Sequence, residues 1–157
     1  MRKSQKNEPF ETPERSTIRG STVTHVAAME QSNDDGVWIL SGMHHLLLCT
    51  TGWRSGEERK AALPFWLDED DHPIVVGSYA GAKGHPGWYL NLEHRDVNAR
   101  VRVRIQAREY WSEPDILDGE EYATIWEALT EDRAFYRDYQ ALTERRIPLV
   151  RLAAASE

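Results

Sequence analysis

Residues 99–105, "ARVRVRI", alternate without exception. Val101, Val103 and Ile105 take one side of an extended chain, and Arg100, Arg102 and Arg104 take the other. A segment with one apolar and one cationic face predicts a strand in an antiparallel sheet. The neighbouring segments extend that sheet. "MHHLLLCTTG" holds a short apolar run closed by glycine, read as a buried strand over Leu46–Thr50. "KAALPFWLDEDDHPIVVGSY" reads as strand, acidic turn, strand, with Asp68, Glu69, Asp70, Asp71 and Pro73 in the connection. "AREYWSE" pairs back on "ARVRVRI" through Gln106 and Ala107, a turn without the glycine or asparagine that tight hairpins favour. "RIPLVRL" is a last strand, and Pro148 argues for a place at the sheet edge.

Helical spacing appears in three places. Val23, Val26, Ala27 and Met29 predict a helix that Ser21 or Thr22 would cap and "NDDG" would end. Pro86 opens a short helix carrying Trp88, Tyr89 and Leu92. Tyr122, Ile125, Trp126 and Leu129 form one stripe of a longer helical stretch, with a break near Glu131–Ala134. Strands that follow one another with few helices between them disfavour a doubly wound parallel sheet. The expected class is α+β, a small, partly open antiparallel β-barrel with helices packed outside.

The 157 residues fit one domain, expected over residues 21–157. Residues 1–20 read as a flexible tail bearing Arg2, Lys3, Lys6, Arg15 and Arg19 among Pro9 and Pro13. A formal net charge of -7 makes general nucleic-acid binding a poor fit. The single cysteine, Cys49, rules out an intrachain disulfide and suits a reducing compartment. No apolar run approaches the ~20 residues of a membrane span. A cytoplasmic location is expected. Weak contact of the tail with an anionic membrane surface is the alternative, diluted by Glu8, Glu11 and Glu14.

Against that acidic background "TTGWRSGEERKAALP" gathers Gly52, Arg54, Ser55, Gly56, Arg59 and Lys60. Glycines let backbone N–H groups approach a ligand, and the two arginine forks suit phosphate or carboxylate. Neither GxxxxGK[ST] nor GxGxxG is present. An anion site and a solvated hairpin turn both account for the stretch. "GSYAGAKGHPGWYLNL" adds a glycine-rich loop running into a helix, with Ser78, Lys83, His85, Trp88, Tyr89 and Asn91 around it. Anion donors beside aromatic surface suit a flat ring with an acidic tail, while Trp88 and Leu92 also serve as core residues. In "FYRDYQALTERRIP", Tyr136 and Tyr139 share a helix face, where a tyrosine either donates a proton to a reacting oxygen or packs with its hydroxyl at the rim.

Together "GWRSGEER", "SYAGAKGHPGWYLNL", "YRDYQ" and "ERRIPLV" resemble the deazaflavin-dependent nitroreductases, the Ddn-like oxidoreductases of actinobacteria. The resemblance runs from about Val23 to Leu152. It implies a split antiparallel β-barrel related to FMN-binding reductases. It implies coenzyme F420 in its reduced form, F420H2, as hydride source for a hydrophobic quinone, enone or nitroaromatic acceptor. By position, Arg54, Ser55, Gly56 and Arg59 would hold the cofactor's anionic tail. Ser78, Gly81, Ala82, Pro86, Trp88 and Asn91 would line its ring and linker. Tyr136 and Tyr139 would face the acceptor, with Tyr136 and Ser78 as the implied catalytic positions. The chain departs from the family pattern at Tyr79, often lysine, at Ala80, in place of a glycine, and at Arg133, where some members have tyrosine. FMN in the same barrel, or non-catalytic binding of a flat anionic ligand, are the alternative readings.

No metal site is expected. His44 and His45 are strand neighbours and point to opposite faces. The run Asp68–Asp71 lacks the spaced ligands of a calcium loop and reads as a solvated hairpin tip. Cys49 reads as buried and inert. The sequence does not define an oligomeric state.

Overall fold

A computed structural model describes residues 4–5 and 15–156, with side chains at 4–5 and from residue 23 onward. Helix α1 (Arg15–Gln31) and a short α2 (Asp35–Trp38) lead into β1 (Ile39–Leu40), β2 (Met43–Thr51), β3 (Glu58–Leu67) and β4 (Pro73–Val76). Helices α3 (Gly87–Glu93) and α4 (Arg95–Asn98) are followed by the β5 (Val101–Ile105) and β6 (Arg108–Ser112) hairpin and by β7 (Asp115–Ile116). Helices α5 (Gly119–Asp132) and α6 (Phe135–Ala141) precede the last strand, β8 (Leu149–Arg151).

All the strand pairings are antiparallel, in the order β6-β5-β2-β3-β4-β8-β7, with β1 on the end of β2. The sheet curls until its ends meet. Ser112 bridges to Ala154, Ala155 N–H donates to the Trp111 carbonyl at 2.7 Å, and the Tyr110 hydroxyl donates to the Leu152 carbonyl at 2.7 Å. The result is the split antiparallel barrel with flanking helices.

Inside the curl lie Leu46, Leu48, Phe65, Val75, Val101, Val103, Val150 and Leu152, closed at one end by Tyr89 and Leu92 of α3. The outward side chains of the same strands are also buried. Leu47 and Cys49 of β2 pack with Val26, Met29 and Trp38. Trp66, Ile74 and Leu149 pack under Tyr122, Leu129, Tyr136 and Tyr139 of α5 and α6. Burial on both faces explains why "MHHLLLCTT" is a continuous apolar run while "ARVRVRI" alternates. On the wetted face of β5, Arg102 meets Glu58 at 3.1 Å and Arg104 lies over the Trp38 ring. The β5–β6 turn is made without glycine because Gln106 itself takes a left-handed φ of 54°.

Two expectations are corrected. Strand β8 is interior, paired with β4 on one side and β7 on the other. Pro148 is tolerated because it stands just before the strand, where its carbonyl accepts from Gly77 N–H at 2.9 Å. Helix α1 starts at Arg15, so Ser21 and Thr22 lie inside it and do not cap it. Gly20 does not end it, since one interior glycine costs only about 1 kcal/mol. Much of the tail expected over residues 1–20 lies outside the described residues. Gln5 is an exception: its side-chain amide pairs with both backbone groups of Leu67.

The acidic tip is organised around Asp68, which is buried. Burial opposes its charge, but the N–H groups of His72 and Asp70 and the Arg151 guanidinium together hold the carboxyl below its usual range. Its oxygens therefore have internal donors, and Arg151 also reaches Asp115 and Glu121.

The closure of the barrel makes a measurable claim. Tyr110→Phe leaves the Leu152 carbonyl without its donor and should cost about 1 kcal/mol in urea unfolding, with an unchanged m-value. An unaltered midpoint would show that this contact does not close the barrel.

Candidate active site

A cavity of about 1040 Å³ opens beside the barrel. Its floor is β3 from Arg59 to Pro64. One end is the β2–β3 loop with Gly52, Trp53, Arg54 and Ser55. The middle wall is Ser78–Ala80 with Pro86, Trp88 and Asn91. The other end is Val23 and His25 of α1, Met43 and His45 of β2, and Phe135, Tyr136 and Tyr139 of α6.

The β2–β3 loop is held by its own backbone. Gly52 N–H donates to the Glu57 carbonyl and Gly56 N–H to the Gly52 carbonyl, both at 2.8 Å. Gly56 takes φ 72°, a left-handed turn that glycine makes without strain. A side chain at Gly52 would stand 2.6 Å from Ser55 Oγ, so the loop closes this tightly only with glycine there. Asn91 ties the loop to α3: its Oδ1 accepts from Trp53 N–H at 3.2 Å and its Nδ2 donates to Thr50 Oγ1 at 3.0 Å. Trp53 stacks on His94 at 4.3 Å, and the Arg54 guanidinium lies 4.5 Å from the centre of the Trp53 ring. Arg54 has no carboxylate within ion-pair distance among the described residues. Arg59 meets Glu57 at 3.3 Å, but both are exposed, so that pair is weak. Lys60 is engaged by Glu30 at 2.6 Å, and the bond to that carboxylate raises its pKa.

The middle wall stores backbone strain. Tyr79, Ala80 and Gly81 have φ values of 45°, 51° and 79°, three left-handed residues in succession. For the two non-glycine residues this costs roughly 1–2 kcal/mol each. Arg145 holds the turn: its guanidinium donates to the carbonyls of Gly77 (3.0 Å), Ser78 (2.8 Å) and Ala82 (2.9 Å). Its Nη1 also lies 3.1 Å from His85 Nδ1. Burial, with Arg145 beside it, lowers the His85 pKa, so this nitrogen accepts. A Cβ on Gly81 would meet the Tyr139 carbonyl at 2.9 Å, so the turn is also fitted closely against α6.

The far end is aromatic. The rings of Tyr136 and Tyr139 are 6.0 Å apart, and both residues are buried. His45 Nδ1 donates to the Met43 carbonyl at 2.9 Å, which leaves Nε2 as an acceptor. Burial lowers its pKa to about 4, with further repulsion from His25 and Arg133. His44 points into the barrel against Phe65, as strand alternation requires.

The structure thus brings Arg54, Ser55, Arg59, Ser78, Pro86, Trp88, Asn91, Tyr136 and Tyr139 to one cavity. Gly56, Gly81 and Ala82 do not line it and instead shape the two loops behind the lining. Sequence reasoning did not place His25, His45 or Arg145 at the site, and it marked Arg133 only as a departure from the family pattern. The place of His45 follows from strand parity once the barrel interior is known. Nothing in the local sequence shows that Arg145 reaches back to residues 77–82.

The F420H(2)-dependent quinone reductase family model matches residues 22–153, and the chain belongs to that family. It is 33% identical over 108 residues to the F420H(2)-dependent quinone reductase Rv1261c of Mycobacterium tuberculosis, covering 67% of this chain and 70% of that protein. The structure of the F420-H2 dependent reductase FDR-A aligns with a TM-score of 0.58 at 30% identity, covering 69% of this chain and 93% of that one. A domain-swapped dimer aligns with a TM-score of 0.60 at 26% identity, covering 88% and 98%. The chain is an F420H2-dependent oxidoreductase of the quinone reductase type. Coenzyme F420 is its cofactor, and the FMN and non-catalytic readings give way.

Two outcomes are expected. Arg145→Met should destabilise the protein by at least about 2 kcal/mol and speed amide exchange across residues 77–82. Normal exchange there would remove the clamp role. His45 binds a proton more weakly folded than unfolded, so its contribution is present above pH 6.5 and is lost as pH falls through about 4. The difference between the stability–pH curves of the parent and His45→Gln should reach roughly 3 kcal/mol across that window. Parallel curves would mean that His45 is hydrated.

Proposed function

We propose that the cavity holds the reduced deazaflavin lengthwise, with its acidic tail at the Arg54–Arg59 loop and its ring along Ser78–Ala80, Pro86 and Trp88. A quinone would enter at the Tyr136 and Tyr139 end. One observation carries this reading: a single cavity runs from an arginine without a carboxylate partner among the described residues to a buried pair of tyrosines.

The residues present fit that ligand. Arg54 offers a planar fork to phosphate or carboxylate, and its stacking on Trp53 limits the rotamer freedom lost on binding. Arg59 and the Ser55 hydroxyl stand beside it. The strained turn at 79–81 brings backbone close to the ring position, and Arg145 fixes it there. The bound cofactor supplies a hydride, so the chain needs to orient the acceptor, exclude water and provide a proton. Phe135, Tyr136 and Tyr139 exclude water at the acceptor end. The Tyr136 hydroxyl is the group we assign to the acceptor oxygen, and Ser78 the group we assign beside the ring. Among the described residues no helix is long and apolar enough to cross a membrane. The basic residues at positions 2, 3 and 6 support a weak membrane-surface contact as part of the same proposal, where a quinone would be met.

Binding titration with F420 tests the placement of the tail. Arg54→Ala should weaken affinity roughly tenfold, about 1.4 kcal/mol, and Arg59→Ala by less because Glu57 already shares its charge. Unchanged affinity in both would move the tail elsewhere.

A further inference from the structure

Arg133 ends α5, where its N–H donates to the Leu129 carbonyl at 2.8 Å and its carbonyl accepts from Tyr136 N–H at 3.2 Å. Its side chain is 1% exposed, among the most deeply buried of the described residues. A buried cation is normally paired, because desolvating it alone costs several kcal/mol. Here no carboxylate lies within ion-pair distance among the described residues. One guanidinium nitrogen donates to the Gln5 carbonyl at 2.9 Å, and Nε and Nη1 have no partner there. The neighbouring Asp132 turns its carboxylate to Trp66 Nε1 (3.1 Å) and Gln5 N–H (2.9 Å).

We propose that Arg133 is a positioning residue that makes the Tyr136 hydroxyl the proton donor to the acceptor, an inference that rests on the cavity reading above. Among the described residues the guanidinium has no carboxylate at ion-pair distance in the resting protein. When hydride passes from the cofactor to the quinone, the acceptor oxygen gains negative charge. The Tyr136 O–H bond breaks, an O–H bond forms on the acceptor, and the phenolate left behind completes an ion pair with Arg133. The acceptor gains one hydride and one proton and leaves as hydroquinone. The cofactor is oxidised by two electrons, and water reprotonates Tyr136 after product release. The interaction is stronger in the transition state than before it, which is the condition for it to raise the rate. A buried guanidinium with two nitrogens unpartnered among the described residues is then explained by the step it serves.

The surroundings agree. Burial raises the Tyr136 pKa and Arg133 opposes that, while Tyr139 adds to the rise. Arg133 is flanked by Asp132 and faces His45, which is held neutral with His25 and His44 around it. The anion among these groups is Asp132, and its carboxylate is engaged by Trp66 Nε1 and Gln5 N–H.

The test uses the full chain without cofactor. A ring-fluorinated tyrosine placed at position 136, ionising below the range of alkaline unfolding, is titrated by fluorine NMR. Arg133→Met should raise its midpoint by about one pH unit or more, and Arg133→Lys should recover much of the shift. Equal midpoints in parent and Met variant would overturn the proposal. If the Met variant fails to fold, Arg133→Gln is the neutral comparison. If neither neutral variant folds, Arg133 is a folding residue and the proposal is overturned. In the loaded enzyme, Arg133→Met should lower kcat at least tenfold with F420 Kd within about twofold. A loss of cofactor affinity equal to the loss of turnover would assign Arg133 to packing. Failure of the parent to bind F420 would instead sink the cavity reading and leave the titration result standing.

Discussion

Burial of β2 and β3 on both faces is the constraint from which the rest follows. Leu46, Leu48 and Phe65 fill the curl of the sheet, while Leu47, Cys49 and Trp66 carry helices on its outside. A strand used in this way can face water only at its ends or where no helix covers it. The segment of β3 from Arg59 to Pro64, partly covered by α1, is the floor of the cavity. Site and core therefore share one strand.

The walls of the cavity are loops that would not hold their shape alone. The β2–β3 loop depends on Asn91, and the left-handed turn at 79–81 depends on Arg145. Both anchors come from elsewhere in the chain, so the loops are positioned by the packed barrel and by α6, without reliance on local propensity. Strain of this kind persists only where the surroundings over-determine it, and it is commonly found where a backbone must approach a ligand.

Much of this was legible in the residues. The alternation of "ARVRVRI", the acidic hairpin tip and the helix break near Arg133 each state a local rule, and each rule holds in the structure. The basic glycine loop and the two α6 tyrosines were legible as candidate site residues because their chemistry is unusual for an acidic chain. Strand order was not legible. The interior place of β8 depends on β7, a two-residue strand too short to show a pattern. The grips of Arg145 and Arg133 were also hidden, because they span 68 and 128 positions of sequence and obey no spacing rule. Ala80 shows the converse: a non-glycine residue at φ 51° would not be assigned a left-handed turn from its identity, yet the clamp holds it in one.

The account stands on a cationic mouth recognising the charged handle of a deazaflavin whose ring does the redox work. Comparing the affinity of intact F420 with that of the same chromophore lacking its phosphate and glutamates, across ionic strength, tests this most directly. The account predicts that the intact cofactor binds more tightly at low salt and that its advantage shrinks as salt screens the exposed arginines. Equal affinities at every salt concentration would contradict it.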